Sequence, residues 1–173
     1  TLSGTNTTVG TWEGGPAAAT NTTLALNVNG ATLTGQITDN SNQFKTVNIN
    51  TGAKAGVSSQ LNTGAGEAIV DTALTTVNIS GAGNVKADLS NNNALTVGVI
   101  TSINAGGTGA LTMSGDITAK VNGTVATYTG GAGVDTITVA AAPTKAMTGG
   151  AGTSDVIVLD YVGGQATVNT NIT

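Results

Sequence analysis

Nine residues in the last quarter of the chain carry its most specific chemical pattern. Gly130-Gly131-Ala132-Gly133-Val134-Asp135-Thr136-Ile137-Thr138 fits G-G-x-G-x-D-x-U-x at every fixed position, where U is a large apolar residue. Glycines permit positive φ and leave carbonyl oxygens accessible. Asp135 adds a negative charge, and Ile137 is placed to point inward and anchor the strand that follows. An all-oxygen set of carbonyls and carboxylates is what a hard cation takes, in shells of six to eight. A second copy follows at Gly149-Gly150-Ala151-Gly152-Thr153-Ser154-Asp155-Val156-Ile157-Val158, with one extra residue before its aspartate. The candidate metal ligands are therefore Gly131, Gly133, Asp135, Gly150, Gly152 and Asp155. Two plain glycine-rich turns with solvated aspartates would use the same residues.

Two such units make a coil of about 18 residues, close to the interval between the two copies, so the glycine turns are expected to stack on one edge, near enough to share an ion. Val139 to Met147 would then form the opposite side. It lacks the glycines and has Pro143 at its corner, so no equivalent site is expected there. The other aspartates, Asp39, Asp71, Asp88, Asp116 and Asp160, read as isolated; Asp116 after Gly115 reads as a solvated turn, with a cap or an ion ligand as the alternative.

The elements that must hold these turns are strands. Gly and β-branched residues interrupt every helical window, and the best helix formers are sparse. Apolar and polar residues alternate in short runs: Leu24 to Asn29, Thr46 to Asn50, Thr76 to Ser80, Ile117 to Val121, Thr136 to Val139 and Val156 to Leu159. Gly, Asn, Asp or Ser bounds each run. Phe44-Lys45-Thr46-Val47-Asn48-Ile49 aligns without a gap on Leu74-Thr75-Thr76-Val77-Asn78-Ile79. Leu26 to Gly30 is a looser copy, and Leu33 to Thr38 loosely matches Met113 to Thr118. Such internal repetition predicts an all-β chain folded as a parallel β-solenoid, a β-helix or β-roll, with glycine-rich turns near its C-terminal end. The expected division is a repetitive solenoid over 1–127 and a continuous segment over 128–173, where the repeat shortens. Gly52 to Glu67 reads as a long loop or short helix. The asparagines of Val-Asn-Ile either face solvent or stack as ladders inside the coil.

Composition narrows the function. The chain has 173 residues with 8% charged, 2% aromatic, 39% apolar, no His and no Cys. Net charge is only −4, unlike a disordered chain. Five lysines and no arginine argue against nucleic acid. No apolar run is long enough for a spanning helix. An enzyme built on such a coil would need clustered acids and bases to polarise a substrate, and no nucleophile–base pair can be nominated, so no catalytic residue is expected. The chain begins Thr1-Leu2-Ser3-Gly4 without an initiator Met and is expected to be a segment of something longer.

On the nonapeptides at 130 and 149, the run from Leu26 to Ile49, and Leu74 to Gly81, the chain resembles the RTX-type surface-layer (S-layer) proteins of Gram-negative bacteria. Those proteins are similarly rich in Thr, Ala, Gly, Asn and Val, acidic and free of Cys. The resemblance implies calcium as the ion in the glycine turns and export by a type I system. It implies an extracellular location, calcium-dependent folding, and self-assembly into a two-dimensional lattice on the cell surface. It also implies attachment to surface polysaccharide through another region. An RTX adhesin module, or the non-catalytic calcium-binding tail of a secreted enzyme, would share most of these features.

Overall fold

The computed structural model describes residues 2–3, 11–12, 22–39, 42–53, 57–61, 68–87, 89, 100–116, 127–139 and 145–159. Along the chain come β1 (Leu2–Ser3), β2 (Thr11–Trp12), β3 (Thr23–Asn29) and β4 (Ile37–Asp39). Then follow β5 (Thr46–Thr51), β6 (Ser59–Leu61), β7 (Ile69–Val70), β8 (Thr76–Gly81) and β9 (Val85–Ala87). The later coils contribute β10 (Ser102–Ala105), β11 (Leu111–Asp116), β12 (Thr127–Thr129), β13 (Thr136–Val139), β14 (Met147–Thr148) and β15 (Val156–Leu159). No helix is present among the described residues.

These strands form three parallel sheets, and the chain is a parallel β-solenoid. One sheet has the order β1-β3-β5-β8-β10-β12-β14, a second β6-β9-β11-β13-β15, and a third β2-β4-β7. Each strand pairs with its counterpart one coil away, as parallel strands joined by long crossovers must. Alternation decides which side chains enter the coil. Leu24, Val47, Val77, Ile103, Tyr128 and Met147 occupy one register column of the first sheet. From Val47 onward all of them are buried. Leu33, Leu61, Ala87 and Met113 fill a matching interior row under the second sheet. Each Val, Ile or Leu so buried contributes about 1.5–3 kcal/mol, which is how a chain nearly without aromatics holds a core.

The gap-free copy noted in the sequence is a strand pair in register, Thr46 to Thr51 against Thr76 to Gly81. Its asparagines combine the two readings weighed above. They face outward, yet they form ladders: Asn78 Nδ2 donates to Asn48 Oδ1 at 2.8 Å, and Asn104 Nδ2 to Asn78 Oδ1 at 2.8 Å. The coils shorten along the chain, as the step from Val47 to Val77 and the much smaller one from Tyr128 to Met147 show. The first sheet nevertheless continues through residue 128 without a break. The segment read as loop or short helix contains β6, paired to β9. The alternating run from Ile117 to Val121 lies outside the described residues.

Glycine turns stack along one edge over more coils than the two recognised in sequence. Gly81, Gly107, Gly131 and Gly150 follow one another up the coil, and so do Gly83, Gly109, Gly133 and Gly152. A Cβ on Gly109 would fall on the Gly83 carbonyl oxygen, one on Gly133 on that of Gly109, and one on Gly131 on those of Ala105 and Gly107. At Gly81 and Gly150 the backbone also has φ of +97° and +91°, which side-chain-bearing residues rarely adopt. The expected consequence is a contrast within one turn. Gly109→Ala destabilises by about 1–3 kcal/mol or more, because main chain must move. Gly106→Ala, whose new methyl would meet open space, stays within about 0.5 kcal/mol of the parent. Chemical denaturation of the two variants checks it.

Candidate functional site

Register brings the two aspartates of the glycine motif together. Thr112, Thr136 and Val156 are lateral partners, so the residues before them, Leu111, Asp135 and Asp155, share the next position. In lower coils the amide here donates to a main-chain carbonyl: Ser59 N–H to Asn84 O at 2.8 Å, and Val85 N–H to Ala110 O at 2.9 Å. Higher up, carboxylates replace those carbonyls. Leu111 N–H donates to Asp135 Oδ1 at 3.1 Å, and Asp135 N–H donates to Asp155 Oδ1 at 2.9 Å. Asp135 Oδ2 accepts from Gly131 N–H at 3.0 Å, closing its own turn. Asp135 is only 2% exposed and is not a solvated turn residue, whereas Asp155 is half-buried.

These carboxylates border a partly open cavity of about 310 Å³ at the last described coil, lined by Tyr128, Met147, Gly149, Gly152 and Thr153 among others. Tyr128 sits in the interior column, 1% exposed. Burial, then the charges of Asp135 and Asp155, push its phenol pKa well up, so the hydroxyl stays neutral. The hydroxyl approaches Asp135, but no well-formed hydrogen bond satisfies it. A buried hydroxyl left in that state costs about 1–3 kcal/mol.

The glycine turns of the two motif copies stack one coil apart. Gly130 and Gly149 are in contact, Gly150 lies on the carbonyls of Gly130 and Gly131, and Gly152 lies on that of Gly133. The glycines are common to every turn in the column, so backbone packing alone demands them. The aspartates are what set the last two described turns apart. The residues fit a hard divalent cation in donor type. Of the predicted ligands Asp135, Gly152 and Asp155 line the cavity, with Tyr128 beside them, whereas the Gly131 carbonyl accepts from Ala151 N–H at 2.8 Å; each carboxylate oxygen that accepts one hydrogen bond retains a further lone pair. No group of three or more His, Cys, Asp or Glu exists among the described residues, so carbonyls and water would complete a shell. Val139 and Met147 lie in β13 and β14, while Pro143 falls outside the described residues.

A second carboxylate pair was not foreseen. Ile37 pairs with Ile69 and Thr38 with Val70, which brings Asp39 beside Asp71. Both read as isolated in the sequence, yet Asp39 is 5% and Asp71 0% exposed, and their side chains share a hydrogen bond. The signal was present as the parallel strings Ile37-Thr38-Asp39 and Ile69-Val70-Asp71, one coil apart. Asp39 Oδ2 accepts from Gln43 N–H at 2.7 Å, Asp71 Oδ2 from Phe44 N–H at 3.0 Å, and Asp71 Oδ1 from Ala73 N–H at 2.7 Å. These bonds tie the turn after β4 to the turn after β7. Of Asp116 only the backbone is described, in β11, and Asp88 and Asp160 lie outside the described residues. No helix among the described residues is long and apolar enough to cross a membrane.

Burial, with a smaller contribution from Asp39, outweighs the two amide bonds and pushes Asp71 up to about 6 from 3.8. A folded-state value above the unfolded one means that this stabilisation is complete below about pH 4 and is lost as pH rises through about 6. Asp71→Asn keeps a donor toward Asp39 without a charge. Relative to the parent, the variant should gain about 2 kcal/mol as pH goes from about 4.5 to about 7.5. Unfolding at several pH values measures this, and a difference constant across that range would exclude a shared proton. No family model matches the chain, and no curated protein or solved structure does.

Proposed function

We propose that this chain is a non-enzymatic structural element of a bacterial cell-surface layer, a solenoid that folds and self-assembles in a calcium-dependent way outside the cell. The observation that supports this reading most is the placement of Asp135 and Asp155 one coil apart on stacked glycine turns. Asp135 and Asp155, with carbonyls of Gly131, Gly133, Gly150 and Gly152, would hold the ion. Bound calcium supplies positive charge that neutralises two adjacent carboxylates. Without it, those carboxylates repel one another across a coil contact. A ligand that binds only the folded state stabilises it by RT ln(1 + [L]/Kd), about 2.7 kcal/mol at a hundredfold excess over Kd. That is a sizeable share of a typical domain's total stability.

Calcium is scarce inside a cell and abundant outside, so the same carboxylates that delay closure before export would favour it afterwards. A repetitive coil with few charges on its outer faces suits tiling against copies of itself. Attachment to surface polysaccharide would fall to another region. Calcium added to chelator-treated protein should raise the β-signal in circular dichroism and produce large sheet-like particles, both reversed by EGTA. Asp135→Asn with Asp155→Asn should remove both responses. Ordering without growth in particle size would favour an adhesin or secreted-enzyme tail over a surface layer. The absence of either response would defeat the calcium reading.

A further inference from the structure

We infer that the cation site reaches into the lumen of the solenoid, and that the Tyr128 hydroxyl is one of its oxygen donors. This rests on the proposed calcium reading and adds to it a residue that the glycine motif does not contain. Tyr128 lies just before Gly130, in the interior column that carries Val47, Val77 and Ile103 in lower coils. Packing alone would be served by another aliphatic residue there. Instead the column carries a phenol whose hydroxyl has no hydrogen-bond partner among the described residues, although Tyr128 is 1% exposed.

Tyr128 lines the same cavity as Asp135, Asp155, Gly149 and Gly152, at the last described coil. Its surroundings are negative, since both carboxylates act on it. A neutral phenol can turn a lone pair to a cation and its proton to a carboxylate oxygen at once. One ion in this cavity would therefore satisfy the orphaned hydroxyl and offset the charge of both aspartates. A cation held only at the outer rim of the turns would leave the hydroxyl as it is.

The test is Tyr128→Phe, which keeps the ring and the core packing and removes only the oxygen. Thermal unfolding of the parent and the variant is followed in EGTA and across a calcium titration. In EGTA the variant should be as stable as the parent or more so, because an unsatisfied buried hydroxyl has gone. In calcium its affinity should fall by about tenfold, the effect of losing one donor to a charged partner, and its thermal shift should shrink accordingly. An unchanged calcium response in the variant overturns the inference and leaves the calcium reading standing. Loss of stability in EGTA with an unchanged calcium response also overturns it, and assigns the hydroxyl a purely structural partner. If the parent itself ignores calcium, both readings fall together.

Discussion

Every coil of this protein must lie in register on the one before it, because each strand's main-chain groups are satisfied only by neighbouring coils. This one constraint explains the composition. Parallel stacking places like positions above one another, so the interior columns need apolar residues of modest size, and the glycine edge tolerates no Cβ where carbonyls abut. The outward columns are free to be polar, and they take threonine and asparagine. An asparagine above another asparagine can bond along the stack while still facing water. The result is a core held by many small contributions, each between adjacent coils only.

The same constraint explains why carboxylates are buried in a chain with so few charges. Wherever the coil turns, some amides lose the carbonyl that a regular strand would provide. Asp135 and Asp155 accept such amides at the glycine edge, and Asp39 and Asp71 accept them at the end of the third sheet. Stacking then brings each acid against its counterpart in a neighbouring coil. Two negative charges at coil spacing need something positive between them. For Asp39 and Asp71 a proton can serve only below about pH 6, where Asp71 takes one up. Asp135 and Asp155 instead adjoin a cavity that Tyr128 also lines.

How much of this was legible in the sequence depended on whether a repeat kept its spelling. Val47-Asn48-Ile49 and Val77-Asn78-Ile79 announced their pairing because the residues recur unchanged, and the glycine nonapeptide announced its turns. The strands at Ser102–Ala105 and Thr127–Thr129 occupy the same sheet but kept only the alternation, with Tyr128 in place of a β-branched residue. The turns at Gly81-Ala82-Gly83 and Gly107-Thr108-Gly109 were missed because they lack the aspartate, although the packing that demands their glycines is the same. Asp39 and Asp71 were missed for a different reason. A full coil separates them in the chain, and no local pattern reveals which residues a long crossover brings back together.

The distribution of charge follows from the same constraint. The chain is acidic, with nine carboxylates to five lysines. Among the described residues, however, Asp39, Asp71 and Asp135 are buried, while Lys45, Lys86 and Lys145 are exposed. The negative charge of these three aspartates is thus directed at main-chain amides inside the coil and does not face solvent. Net charge ordinarily keeps like molecules apart through repulsion between their surfaces. Here the outer faces of the described coils are mostly hydroxyls, amides and small apolar groups, with Val134, Val156 and Val158 exposed at the last turns. On the described faces such repulsion is weaker than the acidic composition alone would imply. Burying acids against main-chain amides thus removes part of the charge from the outer faces of the described coils.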